Sequence, residues 1–219
     1  MNRERALKAF RREPTDRIPH GEMISNPDAI QYITGIDPWE KPRSAQKALI
    51  TRYAIDVWQL PPDDTPIPKL PDGDTYVDPN GRSTVRWGQD KTWHWDWGHK
   101  FKTIEDVLSY EPLKHMDCRD MEPVGLDLRK SVDELAKEFQ EKLDKNREAN
   151  GNLALAHGGF YNTIFMWPLL TFGWELFLEL GAGYPEECAR IIADFSEFSR
   201  KVFKAWAKTD LEVFSSHDD

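Results

Sequence analysis

Leu153-Ala-Leu-Ala156, Pro185-Glu-Glu-Cys-Ala-Arg-Ile-Ile-Ala-Asp-Phe-Ser-Glu-Phe-Ser-Arg-Lys-Val-Phe-Lys-Ala-Trp206 and Leu211-Glu-Val-Phe214 decide the fold. The middle stretch opens on a proline, suited to a first helical position, and carries Cys188, Ile191, Ile192, Phe195, Phe198, Val202 and Trp206 along one stripe. The flanking stretches are short apolar runs of strand length. Strand, long helix, strand is a βαβ unit, and its two strands must run parallel. Upstream, Ser131-Val-Asp-Glu134 forms a capping box ahead of Val132, Leu135, Ala136, Phe139 and Leu143, a second amphipathic helix ending near Asn150-Gly151.

The N-terminal half repeats the alternation. Asn2 to Arg12 reads as a short helix, Ile18 to Met23 as a strand, Ser44 to Tyr53 as a helix and Ile55 to Leu60 as a strand. Five prolines between Pro61 and Pro71 make a loop. Thr75-Tyr-Val77 and Ser83 to Trp87 flank an Asn-Gly pair, a hairpin signal. Trp93, Trp95 and Trp97 alternate as on a strand face, which reads as a packed ribbon before it reads as an aromatic pocket. The fold class expected is α/β with a mostly parallel sheet.

With 219 residues, 29 basic and 38 acidic side chains, the chain carries a net charge of −9, which repels phosphate backbones and disfavours nucleic acid. Hydrophobic residues at 39 %, about 45 % once glycine is added, suffice for a core. No stretch approaches the ~18 uncharged apolar residues of a membrane span. The opening residues lack the apolar run of a secretory signal, and two cysteines make no disulfide framework. The expected compartment is therefore the cytoplasm.

Four stretches carry a family likeness. Asn2-Arg-Glu-Arg5 leads through Phe10 to Pro14-Thr-Asp-Arg-Ile-Pro19, and Tyr53-Ala-Ile-Asp56 opens the second strand. Ala156-His-Gly-Gly159 is followed by Thr171-Phe-Gly-Trp-Glu-Leu-Phe177 and Tyr184-Pro-Glu186, and Asp210 to Asp219 ends in an Asp-Asp pair. In this order they resemble the uroporphyrinogen decarboxylase superfamily, in particular its corrinoid-dependent methyltransferase and O-demethylase branch. The likeness implies a (β/α)8 TIM-type barrel, of which this chain covers about the first five strands, with an N-terminal helix and a hairpin insertion at about residues 75–100. Five strands leave a sheet edge bare, so self-association or assembly into something larger is expected.

The likeness implies methyl transfer between a small methylated compound and a corrinoid protein. Where tetrapyrrole decarboxylases hold an arginine-rich loop, this chain has Pro19-His-Gly-Glu-Met23, which removes the bidentate carboxylate clamps. A cofactor-free decarboxylase using Asp56 or Asp218 is the second reading, and a non-catalytic half-barrel binding module the third. Zinc, where the methyltransferases use it, would be held by ligands beyond Asp219. His115 and Cys118 give only two ligands, so no metal residues are assigned.

In parallel barrels, functional groups gather at the C-terminal strand ends. That rule selects His157, Glu22 and Asp218 as candidate catalytic groups, with His20, Gln59, Tyr161, Asn162 and His217 as substrate-binding residues. His20 and Glu22 alternate on one strand face and read either as a proton-handling pair or as a rim ion pair. His157 stands before two glycines, where a ligand could approach the backbone. Most of these residues are expected on one concave face around His157.

Overall fold

The computed structural model describes residues 2–22, 24, 26–67, 75–77, 83–87, 90–93, 101–115, 126–160 and 164–216. They form a mixed α/β structure dominated by helices. In chain order the N-terminal part holds α1 (Asn2–Phe10), α2 (Pro27–Thr34) and α3 (Pro42–Tyr53), then β1 (Thr75–Val77), β2 (Ser83–Trp87) and β3 (Asp90–Trp93). There follow α4 (Ile104–Leu108), α5 (Pro112–His115), α6 (Val132–Asn150), β4 (Gly158–Phe160), α7 (Met166–Phe172), α8 (Trp174–Gly183), α9 (Pro185–Trp206) and β5 (Phe214–Ser216).

The two long helices fall where patterning puts them. Ser131 caps α6, with both halves of the capping box in place, and Pro185 stands in the first turn of α9. Their inner faces build the main core: Phe139 stacks on Trp206 at 4.4 Å, and Trp167 of α7 stacks on Phe195 at 6.0 Å. Ser199, which interrupts the apolar stripe of α9, is buried and accepts a 2.8 Å hydrogen bond from the Trp167 indole. One helix went unread in the sequence. In α2 the Asn26 side chain caps the Ala29 amide and Pro27 follows it, while Gly35 ends the helix at φ 72°.

Parallel pairing joins β4 to β5, with Gly158 opposite Phe214 and Phe160 opposite Ser216. The strands expected at 18–23, 55–60 and 153–156 contract to single parallel bridges, Gly21 to Val57 and Val57 to Leu155. Prolines 19, 61 and 62 border these runs and cannot donate to a ladder, which confines the pairing. The strand expected at 211–214 lies two to three residues later, in β5. Neighbours in space nevertheless follow sequence order: Gly21, Val57, the segment 155–160, then β5. The Trp58 amide donates to Leu155 O, the Leu155 amide to Asp56 O and the Gly158 amide to Val213 O, so 155–160 lies between its two partners. The β1–β2–β3 sheet is antiparallel and separate, as the hairpin reading requires. Its Asn-Gly turn and the indoles of Trp95 and Trp97 lie outside the described residues.

Side-chain alternation assigns the two faces of the parallel array. Val57, Leu155 and Val213 share one face, where Ala6 and Leu7 of α1 pack against them at the N-terminal strand ends. Ala154 faces the other way and packs with Ile50 of α3. Gly158 also faces that side. A Cβ there would stand 2.7 Å from Leu211 Cδ2 and 3.0 Å from the Trp206 ring. Gly158→Ala is therefore expected to destabilise by about 1–3 kcal/mol through overpacking. A denaturant midpoint equal to wild type would contradict this packing.

Candidate functional site

His157 lies two residues beyond Leu155 and continues the α1-covered face toward the C-terminal strand ends. The Val57–Leu155 pairing stops short of it: the buried Asn150 side chain donates to the Trp58 carbonyl and accepts from the Leu60 amide, the two groups that would carry the ladder on to His157, so Gln59 is not its paired neighbour. On the other flank, Ser215 of β5 pairs with Gly159, which lies two residues past His157 on the same face. Gln59, Gly159 and Ser215 are exposed while His157 is half-buried. Where α1 ends its cover, this face becomes a polar, uncharged floor with His157 set into it.

The His157 ring is chemically unsettled. Its Nδ1 is buried and has no hydrogen-bond partner among the described residues. A buried polar atom left unpaired costs free energy, and in a native protein it calls for an explanation such as a bound ligand or water. Burial also pushes the imidazole pKa below its ordinary 6.5, because desolvation disfavours the charged ring. At neutral pH His157 is thus a neutral imidazole, with one N–H to give and one lone pair to accept. The unfolded chain takes up the proton first as pH falls, so this group removes stability below about pH 6.5, down through its lowered native value. NMR titration of the ring should give a midpoint below 6.5, and a midpoint at or above 6.5 would contradict the burial.

His20 and Glu22 do not join this floor. Gly21 pairs with Val57, so its two neighbours point to the opposite face, toward α3. There His20 Nδ1 lies 3.0 Å from the Tyr53 carbonyl. Since a carbonyl only accepts, the proton is on Nδ1, and Nε2 is left facing Glu22 Oε2 at 4.0 Å. Both side chains stand half-exposed at the rim, and the expectation that Glu22 and His20 face His157 is corrected by this register. Tyr161, Asn162, His217, Asp218 and Asp219 lie outside the described residues, as does Cys118. Among the described residues no three His, Cys, Asp or Glu side chains converge as a metal site.

Asp56 sits at the opposite end of its strand and is fully buried. Arg5 Nη1 donates to Oδ1 at 2.6 Å, Arg17 Nη2 lies 3.0 Å from Oδ2, and the His20 amide donates to Oδ2 at 2.7 Å. Arg5 also grips exposed Asp16 through two bonds of 2.5 and 2.8 Å, which lowers the Asp16 pKa and raises that of Arg5. Both Asp56 oxygens are occupied. The carboxylate staples α1 and the 15–20 loop to the second strand, a role no local sequence pattern announces.

Comparison of the chain with family models, curated proteins and solved structures returns no significant match. What defines the molecule is thus its mixed α/β organisation, with parallel neighbours in sequence order and an uncharged floor at their C-terminal ends.

Proposed function

We propose that this chain is a methyltransferase of the uroporphyrinogen decarboxylase type, or the N-terminal part of one, built on barrel strands that run in sequence order. The observation carrying the reading is the buried Nδ1 of His157, without a partner among the described residues, at a C-terminal strand end on the same face as Ser215. In such barrels that end holds the reacting groups. The sequential parallel order of Gly21, Val57, 155–160 and β5 supports the barrel.

The substrate is a small methylated compound and the acceptor a corrinoid protein, whose cofactor, when docked, would supply the electron pair for the new bond to the methyl carbon. When a methyl ether is the donor, its C–O bond breaks with the electron pair remaining on oxygen. That oxygen needs a hydrogen bond as charge develops and finally takes a proton from water. A neutral imidazole N–H held in a partly desolvated floor provides the bond. Asp56 is fully buried and its charge is already compensated by two arginines at the far end of its strand, which favours methyl transfer over a decarboxylase that would spend that charge on a cationic intermediate. The test is an assay of the protein with a reduced corrinoid protein and a panel of methyl ethers, thiols and amines. Donor-dependent methylation of the corrinoid, seen in its visible spectrum, is expected. Release of CO₂ from a carboxylated substrate without corrinoid would overturn the reading.

A further inference from the structure

Helix α8 presents an outer face that nothing in the described chain covers. Trp174 and Leu178, one helical turn apart, are 48 % and 59 % exposed, and Ile164 beside α7 is 50 % exposed. The inner face of the same helix is already satisfied by Phe177 and Leu180, both in the core. Trp174 is held in place from below: Phe165 meets its ring edge-to-face at 5.9 Å and itself packs on Phe177 at 5.2 Å. A half-exposed tryptophan fixed by an aromatic neighbour has little rotamer freedom left to lose, which is how interface anchors are built.

On α8 itself the exposed charge has one sign. Glu175 and Glu179 form the adjacent row, one turn apart, and both are exposed without an ion pair among the described residues. No Lys or Arg stands anywhere between Arg147 and Arg190. An apolar row edged only by carboxylates fits a surface with an apolar stripe edged by cations, and it repels an acidic one.

We propose that the outer face of α8 docks an amphipathic helix of a partner protein, whose apolar stripe covers Trp174, Leu178 and Ile164 while flanking Lys or Arg side chains meet Glu175 and Glu179. This surface is independent of the methyl-transfer chemistry. A helix laid in this way is read by residues spaced one turn apart, matching the 174/178 spacing.

A fluorescent synthetic helix of Leu and Lys, with its leucines on one stripe, serves as the probe, and anisotropy reports binding to the intact protein. Trp174→Ala with Leu178→Ser is expected to weaken binding by roughly tenfold or more, as loss of a central anchor does. Glu175→Lys with Glu179→Lys should weaken it comparably. Glu141→Lys with Glu148→Lys, an equal charge change on the exposed side of α6, should leave it within about twofold. Unchanged melting of each variant by circular dichroism keeps the comparison clean, since all six positions lie at the surface. Three results would overturn the proposal: no binding by wild type, equal weakening by the two charge reversals, or concentration-dependent self-association that the Trp174/Leu178 variant abolishes. The last would assign the face to a second copy of the chain.

Discussion

Asp56→Ala is expected to lower stability by about 3–5 kcal/mol, because it strands the guanidinium groups of Arg5 and Arg17 around a buried void. For a chain of this size that corresponds to a drop in Tm on the order of 10 °C. The loss comes from geometry that a surface ion pair lacks. Asp56 is 0 % exposed, accepts from the Arg5 guanidinium and the His20 amide and is ion-paired with Arg17, so its removal unpairs several partners together. Asp56→Asn should recover part of the loss by keeping the amide contact while surrendering the charge. Asp16→Ala, on the exposed side of the same arginine, should cost far less, since water replaces what is removed. Thermal and urea melts of the three variants decide the matter. Equal small losses for Asp56 and Asp16 would show that the buried carboxylate is no staple.

His157→Ala has the opposite signature. Methyl transfer is expected to fall by about 10²–10³-fold, the usual worth of one hydrogen-bond donor to an oxygen developing charge. Melting should change little, because Nδ1 makes no hydrogen bond to the described residues that could be lost. His157→Gln, which keeps an N–H donor but cannot titrate, should retain part of the rate and flatten the acid limb of the pH profile. Loss of stability in parallel with activity would instead make His157 a packing residue. Unchanged activity would remove it from the chemistry.

What could be read in the sequence was whatever one segment encodes alone. The capping box at Ser131, the proline start of α9 and the apolar stripes of both long helices needed no partner to be legible. The Asn26 cap and the Ile30/Ile33 face that packs on α3 held a helix too, but at eight residues it is too short for its periodicity to stand out. Pairing between segments was less visible. The alternation of His20 and Glu22 was legible, yet which face it addresses depends on Gly21 meeting Val57, and a one-residue slip would have reversed it. Asp56 shows the same limit, since its arginines lie 51 and 39 positions away along the chain. Gln59 was placed at the site by its strand-end position alone, and what ends the pairing before it, the buried Asn150 side chain 91 positions on, carries no local signal.

The parallel pairing of β4 with β5 underlies the site, the face assignment and the proposed chemistry. A direct measurement is disulfide formation in a variant carrying Gly159→Cys and Ser215→Cys, with the native Cys118 and Cys188 replaced by Ser. Parallel neighbours about 4.8 Å apart fall within the 4.4–6.8 Å that a disulfide bridges. Rapid oxidation is expected, read as a mobility shift reversed by reductant, while the pair His20→Cys with His157→Cys, two strands apart and on opposite faces, should stay reduced. A bridge between 20 and 157, or none between 159 and 215, would contradict the strand order and the site built on it.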